Sequence, residues 1–143
     1  MKKSAFTLVE ILIVVIILGI LAAIVIPQFT QASNDARNNS LLSDLQTVRS
    51  QIQLYKVQHL DNFPTAAIAT ELTLRSNQAG TTAALTADAN QYPLGPYLQK
   101  FPTNGYTSSN AVNTTGTPSG TSGWCYNPAT GQFQADDSAH SNY

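Results

Sequence analysis

Few side chains in this sequence have both the type and the spacing to do chemistry. Glu10 is one. It lies in the stretch FTLVEILIVVIILGILAAIVIPQF, residues 6–29, and between Phe6 and Ile26 the only polar side chains are Thr7 and Glu10. A carboxylate in hydrocarbon is costly and normally has a partner, so an acid inside such a run points to function. The plainer reading is an acid near a helix N-terminus, favoured by the helix dipole and by nearby headgroups. A cut between Ala5 and Phe6 would create an α-amine one helical turn from Glu10. Glu10 would then reach that amine in its own chain or in an adjacent one.

The other candidates are weaker. Asp136 and Asp137 form the one acidic pair, just after the last predicted strand. Calcium takes several oxygen ligands, and two adjacent acids with loop carbonyls and Ser138 would supply some of them. The set is incomplete, and a solvated acidic turn is the favoured reading. Cys125 stands alone, so no intrachain disulfide forms, and it reads as a small buried hydrophobe beside Trp124. His59 and His140 have no ligand partners at metal spacing and are expected to be solvated. No G-x-S-x-G and no glycine-rich phosphate loop occurs. The reading is a protein that is not an enzyme.

The element that must position Glu10 is a helix. Residues 6–26 span about 32 Å as a helix, against a hydrocarbon core of about 30 Å. No domain of this size hides such a helix on every face, so it belongs in lipid or among copies of itself. Lys2 and Lys3 precede it without an acid, which places that end in the cytoplasm and residues from Asp35 onward outside. A secretory signal peptide has a shorter apolar region, and Leu21-Ala22-Ala23 is a poor cleavage site, so the run is expected to stay as an anchor. Pro27 has no N–H for the Ala23 carbonyl, and Gly19 is a poor helix former. Both are predicted to loosen the rod.

MKKSA followed by FTLVE resembles the class III signal of type IV pilins and type II secretion pseudopilins. That resemblance implies a prepilin peptidase that cuts after Ala5 and methylates the amine of Phe6. The residue before the cut is normally Gly, and Ala5 is a small replacement. It also implies that Glu10 pairs with Phe6 of a neighbouring subunit during assembly, and that Gly19 and Pro27 permit the helix to unwind in a filament. Implied partners are further copies of the chain, the inner-membrane assembly platform and minor pilins or pseudopilins. Major pseudopilins often bind calcium in a C-terminal loop, so the resemblance keeps Asp136 and Asp137 as candidate ligands.

The remaining sequence describes a small head. Leu41, Leu45, Val48, Ile52 and Tyr55 recur at steps of four and three, one apolar stripe on a helix that continues to about Gln58. The stripe is too short for a coiled-coil seam and is expected to face the head. Asp61-Asn62 and Pro64 end the helix. Thr65 is predicted to cap a short helix to about Leu74, with Ile68 and Leu72 inward. Residues 77–90 read as an exposed loop, and residues 92–98 as a stiff segment whose aromatics pin it to the helix. GWCYNPATGQF, residues 123–133, reads as a hairpin, which a weaker strand at 109–113 joins. FPT at 63–65, GPYLQKFP at 95–102 and the hairpin all resemble segments of major pseudopilins.

The predicted fold is therefore α+β and pilin-like, with a long helix against a small antiparallel sheet. The divisions are a leader (1–5), a membrane helix (6–29) and a head (30–143). The head comprises an amphipathic helix (30–58), loop and short helix (59–108) and sheet (109–143). Charged residues are 10 % of the chain, and Arg37, Arg49, Lys56, Arg75 and Lys100 are scattered, which gives phosphate-backbone binding no support. The expected function is a filament subunit of a type II secretion pseudopilus. A surface pilin for adhesion, motility or DNA uptake and a non-polymerising anchored binding domain are the alternatives. The missing cysteine pair and the C-terminal hairpin favour the pseudopilin.

Overall fold

The computed structural model describes residues 7–143. Helix α1 runs over Leu8–Gln58 and α2 over Ile68–Thr73. Five short strands follow: β1 (Arg75–Ser76), β2 (Thr82–Ala83), β3 (Val112–Asn113), β4 (Trp124–Asn127) and β5 (Gln132–Ala135). The chain divides into two units, Met1–Asn38 and Asn39–Tyr143.

In the first unit α1 is unbroken through Gly19 and Pro27. Every Leu, Ile and Val from Leu8 to Ile26 is at least half exposed. It is long and apolar enough to cross a membrane.

The second unit is built on the remaining turns of α1. The predicted stripe is the buried face: Leu41, Leu45, Val48, Ile52 and Tyr55 are all at most 2 % exposed. They join Ile68 and Leu72 of α2, Phe101, and Trp124, Tyr126, Phe133 and Ala135 of the sheet in one core. Trp124 stacks on Phe133 at 5.3 Å between ring centres, and Phe101 meets Phe133 edge-on. The polar ends of the large rings find carbonyls: Trp124 Nε1 donates to Pro102 O (2.9 Å) and Tyr126 Oη to Pro64 O (2.8 Å). That satisfies the one polar atom each carries into the core.

α1 stops where Leu60 and Asp61 take positive φ (58° and 61°) and the Asp61 N–H turns back to Lys56 O at 3.0 Å. Pro64 follows, as expected. α2 starts later than expected. Its N-cap is Ala67 without a side-chain cap bond, and Thr65 instead donates both its N–H (2.6 Å) and its hydroxyl (2.8 Å) to buried Glu71. The Thr65 hydroxyl oxygen also accepts the Ala67 N–H (3.2 Å), so the residue bridges the start of the helix and its fourth residue by charge-assisted bonds. Ile68 and Leu72 do point inward. Tyr97 pins its segment to α1, donating to Gln58 Oε1 at 2.7 Å and meeting the Tyr55 ring edge-on.

Two features of the sheets differ from the sequence reading. β1 and β2 pair antiparallel where a loop was expected, closed by Asn77, whose side-chain oxygen accepts the N–H groups of Ala79 and Thr81. β4 and β5 form the predicted antiparallel hairpin, but β3 pairs with β4 in parallel, so the sheet is mixed in the order β3-β4-β5. Parallel pairing requires the connection to travel back along the strands, and residues 114–123 supply that crossover. In the hairpin turn Gly131 has φ +73°, and a Cβ there would run into the Phe63 ring.

Candidate functional site

Glu10 sits in the first turn of α1, which Thr7 caps. The Thr7 N–H and hydroxyl both donate to Glu10 Oε2 at 2.8 Å, and the Glu10 N–H returns to Thr7 Oγ1 at 3.3 Å. This is a capping box, in which two otherwise orphaned helix-end N–H groups are satisfied reciprocally. Glu10 thus occupies the helix-start position that the plainer reading gives it. It leaves something over: Oε1 carries no hydrogen bond among the described residues. Among the described residues that oxygen is left for a cation at the helix end, and the bonds to Oε2 already orient it. The sequence reading missed Thr7, although the signal was present, since T-x-x-E before an apolar run is the capping-box pattern. Ala5 and Phe6 lie outside the described residues.

The Asp136-Asp137 pair does not act as a pair. Asp136 is fully buried, and its carboxylate accepts from Ser119 N–H (2.8 Å) and Asn113 Nδ2 (3.1 Å) on Oδ1. Oδ2 accepts from Ser119 Oγ (2.9 Å), Thr121 N–H (3.2 Å) and Ser122 N–H (2.8 Å). Burial would push this carboxyl up, but the bonds from Ser119, Asn113 and Ser122 outweigh it and hold it below its ordinary value. Asp137 turns the other way, accepting from the Ala139 and His140 N–H groups and lying 2.6 Å from His140 Nδ1. The solvated acidic turn is overturned for Asp136, because the crossover folds over it.

A calcium site needs oxygen acceptors converging on a point. Here the groups converging on Asp136 are donors, and Asp137 faces His140, so the residues do not fit the ion. Among the described residues no group of three or more His, Cys, Asp or Glu is placed to hold a metal.

Both histidines are packed rather than solvated. His59 is 1 % exposed and stacks on Tyr55 at 3.6 Å. Its Nδ1 donates to the Tyr55 carbonyl (2.8 Å) and its Nε2 lies 3.0 Å from Ser76 Oγ. His140 stacks on Tyr106 at 3.9 Å beside Asp137. Cys125 is buried as expected. Burial and the nearby Asp136 charge push its thiol up, away from the thiolate form that reacts.

An exposed apolar helix led by a capped acid, continuing into a head built on its own second half, defines a pilin-like filament subunit. Comparison with known proteins agrees. The prokaryotic N-terminal methylation motif matches residues 1–26. The chain is 31 % identical over 101 residues to type II secretion system core protein G of Klebsiella pneumoniae, covering 71 % of this chain and 67 % of that one. It is 42 % identical over 62 residues to the Pseudomonas aeruginosa core protein G (43 % and 42 % covered) and 30 % identical over 103 residues to that of Vibrio cholerae (71 % and 64 % covered). No solved structure matches the chain significantly. The chain belongs to the type II secretion system core protein G family, the major pseudopilins. Membership implies self-assembly, processing by a prepilin peptidase and anchoring in the inner membrane, in a family of structural proteins.

Proposed function

We propose that this protein polymerises into a periplasmic pseudopilus that serves protein secretion, with its N-terminus cytoplasmic and its head periplasmic before assembly. In this reading the peptidase cuts between Ala5 and Phe6 and methylates the new amine. The assembly platform and minor pseudopilins then start the filament. The observation that carries it is Glu10, an acid in an otherwise apolar stretch of helix, with Oε2 held by Thr7 and Oε1 without a partner among the described residues. A free carboxylate oxygen in hydrocarbon and an α-amine in hydrocarbon are each costly alone and mutually stabilising together. Docking the amine of one subunit on Glu10 of the next therefore sets the register between rods. Burial of the exposed Leu, Ile and Val side chains among neighbours replaces lipid around them. Gly19 and Pro27 are the places where the helix unwinds if packing requires it.

Mass spectrometry of the protein from its native membrane tests processing. A chain beginning at Phe6 and one methyl group heavier is expected, and an intact leader would refute the pairing. Glu10→Ala should insert in the membrane and be cleaved normally but fail to form filaments recoverable by shearing or interhelix cross-linking. Normal filament yield from that variant would refute the role given to Glu10.

A further inference from the structure

The resemblance to calcium-binding pseudopilins and the donor set around Asp136 disagree, and the disagreement has a physical content. We propose that the Asp136 carboxylate organises the crossover of this head in place of a metal ion, so that the head folds and is stable independently of calcium. Asp136 directly follows β5, Asn113 ends β3, and Ser119, Thr121 and Ser122 lead into β4. One side chain therefore ties together the ends of all three strands of the mixed sheet. The backbone of the loop is shaped to it. Gly120 takes φ +75° and donates its N–H to the Asp136 carbonyl at 2.7 Å, while Asn113 Nδ2 also donates to Thr117 O at 2.8 Å. Three N–H groups within the four residues 119–122 thus point at one carboxylate, a nest of the kind that binds anions, filled by the chain's own side chain.

No cation is needed to neutralise that charge, since five donors already surround it. Calcium would be worse than superfluous. To reach either oxygen it must approach the positive ends of the Ser119, Thr121 and Ser122 N–H dipoles. Displacing them would break the hydrogen bonds that hold the loop to the buried carboxylate. Asp137, engaged with His140, does not turn toward the same point.

The test uses the full-length protein in detergent micelles, freed of divalent ions by chelation. Thermal unfolding followed by Trp124 fluorescence should give the same Tm in chelator and in millimolar calcium chloride. Isothermal titration with calcium chloride should give no saturable heat. Asp136→Asn, which sets an amide among N–H donors, should lower Tm by about 10 °C in both conditions. Ser119→Ala, which removes one donor, should lower it by less. A rise in wild-type Tm of several degrees with calcium, or stoichiometric calcium binding, would overturn the proposal whether or not the Asp136 variant folds. An Asp136→Asn variant as stable as wild type would overturn it too.

Discussion

Truncation on opposite faces of the second half of α1 separates a head-facing stripe from an outward one. Ile52 is fully buried in the core that α2 and the sheet share, whereas Leu54, two residues on, is 43 % exposed. Ile52→Ala removes buried methyl groups and leaves a cavity in that core, at a cost of about 3 kcal/mol. Leu54→Ala removes atoms that are partly hydrated already, at about 0.5 kcal/mol. For a head of this size 1 kcal/mol moves Tm by about 5 °C, so the two variants should fall by about 15 °C and about 3 °C. Trp124 is the single tryptophan, and it is fully buried in the same core, so its fluorescence reports unfolding of the head in detergent-solubilised full-length protein. Equal losses, or a larger one from Leu54→Ala, would refute the assignment of the faces and return the stripe to contacts between subunits.

Three other outcomes follow from the head. A carboxyl held below its unfolded value stabilises the fold above that value and stops doing so as pH falls through its folded one. Asp136 should therefore leave Tm level from neutral pH to about pH 5 and contribute to a decline below about pH 4. Asp44, pushed up by burial, acts in the opposite sense, and Asp136→Asn should flatten the acid decline if the assignment is right. Cys125 should react with thiol reagents far more slowly in the folded protein than in denaturant, measured by mass shift, and fast native labelling would contradict its burial. Gly131→Ala combines positive φ with a collision on Phe63 and should cost about 2 kcal/mol or more in urea unfolding.

Reading of the sequence succeeded where the signal was periodic or local. Leu41, Leu45, Val48, Ile52 and Tyr55 declare a helical face by spacing alone, and the hairpin at Asn127–Gln132 by its Pro and Gly. His59 and His140 misled because only part of what packs each ring is local. Tyr55 and Asp137 lie one helical or turn step away, but Ser76 is seventeen residues from His59 and Tyr106 thirty-four from His140, so the contacts that complete each packed imidazole are distant in sequence. Thr65 misled differently: its hydroxyl oxygen accepts the Ala67 N–H near the helix start, but its O–H and N–H are taken up by Glu71, six residues on.

By itself, then, the amino-acid sequence determined the anchor, the acid within it, the buried stripe and the family, because these follow from composition, period and short motifs. Only the tertiary structure decided that β3 runs parallel to β4 and that Asp136 lies inside the crossover. Strand direction depends on the path of residues 114–123, and that path depends on N–H donors finding a carboxylate fourteen to seventeen residues away. No spacing along the chain records such a meeting. It exists only once Asp136, at the end of β5, and the loop ahead of β4 are brought together in space.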